Sequence, residues 1–478
     1  MTEAVAPPRA ALPLNSKMES PMRTFSLPLA VLLVVTAVAG ADPTADRIAA
    51  LYAKVKPTLV MVKMSLETET GQQAEASLPG LVATDDGLVI MPGSDTLATV
   101  PKSYFKKVEI IRPEKKDAPV AAKYLEYDRV AAVAFVKAED PAGLTPLELT
   151  EADAPQVGQA VVVFSLMGKE YGYALQYHLA RIGGVVSKPT DRYLITPRPD
   201  TSTGMVATMD GKLVGRLLMD TTVRNLTVRG RTVPIRQNVP LIQPVAELTE
   251  AVQRVQSGAI KQRAWIGVMG MQALDKDVAE ALGLGEAVAI RIGSVVEDSP
   301  AAKAKLVAGD VVLGINGEDL QRGATDTDTL MNFGNRIRSL KPGEKITLKI
   351  HRAEAGKTET VALTIGKAPL SAAEAKRWTD KTLGVTFREM VFADRYRLKL
   401  DKDAGGAVVA AVSPSGPAAT ADLRNGDVVL EVDRQPVKDL ASLKQLVGTV
   451  LKGKPDGVML AVQRGVSERT VVMIELGD

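Results

Sequence analysis

The chemical tools of this chain are few. Among its 478 residues none is cysteine, and the histidines are His178 and His351. Without cysteine there can be no disulfide framework, thiol nucleophile or cysteine zinc site. Imidazole general-base chemistry has two candidates at most. No metal site or cofactor is expected, and His178 reads as a structural residue. Asp326 and Asp328 stand together in Ala324-Thr-Asp-Thr-Asp-Thr329, but a calcium loop needs more oxygen ligands at defined spacing. The stretch reads as a flexible insertion. Arg224, Arg229, Arg231 and Arg236 form a basic run with no interleaved aromatic residues, the pattern of a solvated hairpin face. A net charge of +3 gives no separate reason to expect nucleic acid.

The elements that hold these residues are legible in outline. Hydrophobic residues at 46% and charged residues at 24% describe an ordinary globular chain, and the length suggests two to four domains. Met22-Arg23, the apolar run to Ala41 and small residues at Ala37-Val-Ala39 and Ala39-Gly-Ala41 read as a signal peptide over 1–41. The protein is therefore expected to be exported, periplasmic or secreted, and membrane-anchored if the segment is retained. A helix is expected over Thr44–Lys56. Short apolar runs follow at Leu59–Met64, Leu88–Met91, Val108–Ile111, Val130–Val136, Ala160–Leu166, Tyr193–Thr196 and Lys212–Met219. That spacing, broken by Asp86-Gly87 and Asp210-Gly211, predicts a barrel or sandwich. A hairpin over Thr222–Arg236, turning near Gly230, and a helix over Pro244–Gln256 close this region.

The remainder repeats. Ile266-Gly-Val268 recurs as Leu383-Gly-Val385, Pro300-Ala-Ala302 as Pro417-Ala-Ala419, and Gly309-Asp-Val-Val-Leu313 as Gly426-Asp-Val-Val-Leu430, each pair 117 positions apart. A second helix is expected in each copy, over Thr329–Leu340 and Leu440–Val450. This pattern resembles PDZ domains in the circularly permuted arrangement of bacterial HtrA-type proteases. Arg263-Ala-Trp-Ile-Gly-Val268 is similar to that family's carboxylate-binding loop. In such a loop glycine lets successive N–H groups converge on a peptide's terminal carboxylate, and the following strand offers an edge for β-addition. The resemblance implies peptide contacts from Trp265, Ile266, Gly267, Val268 and Ile337 in the first copy, and from Leu383, Gly384, Val385, Leu446 and Val447 in the second. The second copy departs at Asp433-Arg434, where the first has Asn316-Gly317.

The β-rich region, with its junction from Asn238-Val-Pro to Arg263, resembles the protease domain of the same family. The resemblance implies a trypsin-like double β-barrel over 45–258, a first PDZ domain over 263–368 and a second over 371–478, mainly β with some α. It places the family's histidine on Ser94, after the hairpin Gly80–Met91, its aspartate on Ala132, and its nucleophile on Ser202 in Pro199-Asp-Thr-Ser-Thr-Gly-Met205. A hydroxyl nucleophile needs a base beside it and a group to orient that base. Asp200 also stands where the family has a glycine beside its oxyanion turn. The expectation is a pseudoprotease, not an enzyme, with Ser202 vestigial. It would bind protein C-termini or exposed apolar segments as an adaptor, scaffold or chaperone in envelope quality control. The family also implies a homotrimer. The alternative is an active HtrA-type serine endopeptidase using Ser202 with an unrecognised base.

Overall fold

The computed structural model describes residues 43–149, 154–186, 191–228, 231–323, 325–453 and 455–476, with 43, 95 and 221–237 described by their backbone. The expected leader, the turn near Gly230 and the side chains of the four hairpin arginines lie outside the described residues. Helix α1 (Pro43–Val55) leads into β1 (Leu59–Glu67), β2 (Gln73–Val82) and β3 (Leu88–Pro92). After the short α2 (Asp95–Thr99) come β4 (Phe105–Ile111), β5 (Val120–Asp128) and β6 (Val133–Ala138). These strands close a barrel in the order β1-β2-β3-β6-β5-β4. A second barrel holds β7 (Ala160–Leu166), β8 (Leu175–Val186), β9 (Arg192–Thr196), β10 (Gly204–Thr208), β11 (Leu213–Val228) and β12 (Arg231–Pro244). It closes in the order β10-β11-β12-β9-β8-β7. Closure removes the exposed edges that open sheets must protect.

The first half of β2 is exposed and mostly polar, so this strand does not read from apolar content, and neither β5 nor β8 carries a continuous apolar run. The strand expected from Val130 begins instead at Val133. The buried Asp128 carboxylate accepts the N–H groups of Val130 at 2.8 Å and Ala131 at 3.1 Å, which holds that stretch in a turn. Its other oxygen accepts Arg254 Nε at 2.7 Å from α3 (Val245–Gln256). That helix leaves the second barrel but packs on the first. Leu248, Ala251 and Val252 bury against Leu88, Ile90, Val133 and Phe135. A fully buried leucine such as Leu248 contributes about 1.5–3 kcal/mol.

Each repeat copy is a small sheet with helices against it. The first carries α4 (Lys276–Ala281), α5 (Pro300–Lys303) and α6 (Asp326–Ser339). The second carries α7 (Phe392–Leu398), α8 (Pro417–Thr420) and α9 (Leu440–Lys452). The segment expected as a flexible insertion is the start of α6. Thr325 accepts the Asp328 N–H at 3.1 Å while Asp328 accepts the Thr325 N–H at 2.9 Å, a capping box. The repeated Gly-Asp has a structural cause as well. Gly309 (φ +92°) and Gly426 (φ +91°) take left-handed backbone. The buried Asp310 then accepts the Val307 N–H at 2.9 Å and pairs with Arg352. Asp427 does the same with the Arg424 N–H at 2.9 Å and Arg464 at 2.8 Å. Asn316-Gly317 and Asp433-Arg434 both have positive φ, the turn that favours Asn-Gly. Asn316 Oδ1 accepts the Thr347 N–H and Asp433 Oδ1 the Met459 N–H, so the departure at 433–434 keeps the same turn.

Candidate peptide-binding loops and interbarrel cleft

In the first copy Gly267 has φ +86°, and a Cβ there would sit 2.1 Å from Ser299 Cβ. Only glycine fits this loop. Ser299 is buried and caps α5 through the Ala302 N–H at 3.1 Å. The loop carbonyls are occupied: Ile266 O accepts the Ala301 N–H and Gly267 O the Val296 N–H, each at 2.8 Å. Residues Val268–Met269 pair with Ser294–Val295 on one side and carry no strand on the other among the described residues. That free edge is what β-addition of a peptide requires. Ile266, Val268 and Ile337 lie in one buried cluster with Phe333 of α6, so the expected pocket residues are brought together as the module's own core. Half-buried Trp265 reaches over Gly267 and meets Phe392 of α7 edge-on, ring centroids 6.0 Å apart.

The second copy differs at this edge. Gly384 again has positive φ, and Leu383, Val385 and Val447 are buried with Leu446 packed beside them. Residues Val385–Glu389 pair with Ala407–Val412 on one side, however, and with Arg377–Asp380 on the other. The chain's own lead-in segment therefore lies antiparallel on the edge where a peptide would add. Trp378 of that segment stacks on Phe387, centroids 5.7 Å apart. Arg377 pairs with Glu69 of the first barrel at 3.4 Å. Asp380 Oδ1 also accepts the Leu383 N–H at 2.9 Å, one of the donors a carboxylate would use. The pre-loop segment was not among the expected site residues. Its mark in the sequence is Trp378 in a short polar stretch.

Of the three positions tied to the protease family, Ala132 accepts from Arg216 through its carbonyl, while Ser94 and Ser202 lie one or two residues from Pro92 and Thr203, which line a cavity between the barrels. Gly93, one residue before Ser94, donates its N–H to Ala132 O at 3.2 Å, and Ser94 itself is exposed as the residue ahead of α2. Ser202 is exposed ahead of β10, in a turn where Thr201 Oγ1 donates to Thr203 O at 2.8 Å. Neither histidine joins them. His178 lies on β8, whose neighbour β7 separates it from β10. His351 is buried in the first repeat copy, 3.2 Å from Thr358 Oγ1 through Nδ1. Directly behind Thr203 lies a cavity of about 50 Å³ lined by Met91, Phe164, Leu166, Met205 and Leu248.

Arg216, which the sequence did not single out, lines this cavity and is buried. From β11 it donates to Ala131 O at 3.2 Å and Ala132 O at 3.0 Å, crossing from the second barrel to the first. Its Nε donates to Gln243 Oε1 at 2.6 Å. Gln243 Nε2 donates in turn to Glu247 Oε2 at 2.6 Å, and Arg192 holds that same carboxylate in a two-point pair. Burial pulls the Arg216 guanidinium down to about 10, with Arg192 adding to the effect and Glu247 opposing it.

Paired six-stranded barrels with a serine at their shared cleft, followed by tandem PDZ-type modules, define a chain of trypsin-like double-barrel architecture with C-terminal PDZ domains. The PDZ domain family matches residues 267–365 and 382–474. The chain is 29% identical over 364 residues to a probable periplasmic serine endoprotease, DegP-like, of Ectopseudomonas mendocina, covering 72% of this chain and 70% of that protein. It is 27% identical to the periplasmic serine endoprotease DegP of Salmonella typhimurium, covering 77% of this chain and 70% of the relative. A DegP-like protein of Brucella suis is 30% identical, but the match covers 46% of this chain and 41% of that one. Among solved structures, the HtrA-type protease AlgW with decapeptide matches at 17% identity and a TM-score of 0.46, covering 68% of this chain and 99% of that one. The chain carries two PDZ domains and is similar over 72–77% of its length to DegP-type serine endoproteases. The relatives are named as serine endoproteases, and that finding overturns the expectation that the chain is not an enzyme.

Proposed function

We propose that the chain is a periplasmic serine endopeptidase that captures polypeptide C-termini or exposed apolar segments on its first PDZ domain and cleaves at Ser202. The domains follow as 45–258, 263–368 and 371–478, after a leader over 1–41. The observation that carries this reading is the solvent-exposed Ser202, next in sequence to Thr203 of the interbarrel cavity, in a chain whose relatives are named as periplasmic serine endoproteases. The glycine loop at 267 and the free edge of Val268–Met269 support peptide capture. With serine at 94 and alanine at 132, a group other than an imidazole at the family's position takes the proton of Ser202. The pH profile of the serine-dependent rate reports the ionisation of that group. Incubation of the purified chain with unfolded casein beside Ser202→Ala is the test. Cleavage lost in Ser202→Ala supports the reading, and cleavage that is absent or survives the substitution overturns it.

A further inference from the structure

We infer that the interbarrel cavity is a binding site for a short aliphatic carboxylate, held by the Arg216 guanidinium against an apolar wall. Apolar side chains dominate the lining, among them Met91, Phe164, Leu166, Met205 and Leu248; Ser165 and Thr203 add hydroxyls, and Arg216 is the charged residue. The arginine is 9% exposed, and its hydrogen-bond partners are a neutral amide oxygen and two backbone carbonyls. Uncompensated buried charge is costly, and buried charges are as a rule paired. The charged groups acting on it are Arg192 and Glu247. Glu247 is already bound at two points by Arg192, so its charge is shared and does not by itself pair the Arg216 guanidinium. An incoming carboxylate balances it, and the planar fork of arginine suits a carboxylate better than any neutral ligand.

The size of the cavity sets the rest of the ligand. At about 50 Å³, with roughly 10–15 Å³ needed per water, the space holds about three to five waters or an aliphatic chain of roughly that bulk. Free short-chain acids and the C-terminal residue of a peptide share this chemistry. Retention needs no turnover at Ser202, so this inference and the endopeptidase reading fail separately.

The test uses the full chain, with pentanoate, pentanamide and N-acetyl-leucine titrated and followed by calorimetry and thermal melting. The PDZ loops also take carboxylates, so each titration is run with a saturating free-acid apolar decapeptide present. Pentanoate should bind under that condition at least tenfold tighter than pentanamide and raise the melting temperature when the amide does not. Arg216→Gln should lose at least tenfold in pentanoate affinity while the decapeptide binds as before. Equal binding of acid and amide to the wild-type chain overturns the inference even if Arg216→Gln fails to fold. Pentanoate binding unchanged in a folded Arg216→Gln overturns it as well. N-acetyl-leucine separates the sources: affinity at or above that of pentanoate points to a peptide terminus, and exclusion points to a free acid.

Discussion

The second PDZ domain should bind external peptide far more weakly than the first, and truncating Trp378 should relieve that weakness. Arg377–Asp380 covers the edge of Val385–Glu389, so an outside peptide binds only in the fraction of molecules whose segment has lifted. Apparent affinity falls in proportion to that fraction. The Trp378 ring is half-buried and stacked on Phe387 at 5.7 Å. Removing a fully buried tryptophan costs about 3–5 kcal/mol, so a half-buried one should cost the docked segment about 2 kcal/mol. At about 1.4 kcal/mol per decade, Trp378→Ala should tighten peptide binding at the second domain by up to about 30-fold. The assay is fluorescence anisotropy of a labelled free-acid apolar peptide, with the first loop disabled by Gly267→Ala in both proteins. The C-terminal amide serves as control, and circular dichroism verifies folding. The reasoning is refuted if a folded Trp378→Ala protein binds no tighter than its parent, or if the parent's second domain already matches the first.

Gly267→Ala in an otherwise wild-type chain should itself cut affinity for the free-acid peptide at least tenfold. The added Cβ meets Ser299 at 2.1 Å in left-handed backbone, and anisotropy against the parent measures the loss. Asp310→Ala should destabilise the first PDZ domain by about 2–3 kcal/mol, near the low end for breaking a buried pair, because Arg352 keeps Glu359 at 2.8 Å. Hydrogen exchange of Val311–Ile315 reads that change as faster opening. Acid stability of the second PDZ domain should depend on Asp394. Burial raises its pKa, but the hydrogen bonds from Arg388 and from the Val391 N–H outweigh this and hold it below the ordinary value. A depressed carboxylate contributes stability above its unfolded pKa of about 3.9, and the contribution is lost as pH falls through the lower folded value. Asp394→Asn should therefore lower stability at neutral pH and flatten the decline on acidification, measured by urea unfolding from pH 7 downward.

How far the fold was legible depended on where its signals sat. The repeat announced both PDZ domains because Gly309-Asp310 and Gly426-Asp427 each combine a left-handed glycine with a buried, arginine-paired carboxylate, and few other residues can do both. The apolar strands β3, β6 and β7 announced themselves by composition. β2 did not, since the polar residues on the solvated face of a barrel strand resemble a loop, and β5 and β8 lack a continuous apolar run. The start of α6 was missed because Thr325 and Asp328 look like loop polarity until their reciprocal hydrogen bonds are seen. Arg216 was beyond any spacing argument. Its partners Ala131, Ala132 and Gln243 are 85, 84 and 27 residues away along the chain, and long-range polar contacts leave no periodic trace.

The same physics explains why repeats that share their motifs are not equivalent sites. Both glycine loops take positive φ and both PDZ cores bury the loop's flanking apolar residues. What separates them is the segment that arrives before the loop. In the first domain Ala264–Trp265 pairs outward with Gly366–Lys367, so the edge at Val268–Met269 stays available. In the second, Arg377–Asp380 turns inward and forms the strand itself, fixed at one end by Glu69 and at the other by the Asp380 turn onto Leu383. A strand tethered a few residues from its partner has an effective concentration in the millimolar range or above. A free peptide in solution cannot match that without a better side chain than Trp378 for the groove. Peptide capture in this chain is therefore decided by the few residues upstream of each loop, and the first domain is the one left open to a substrate.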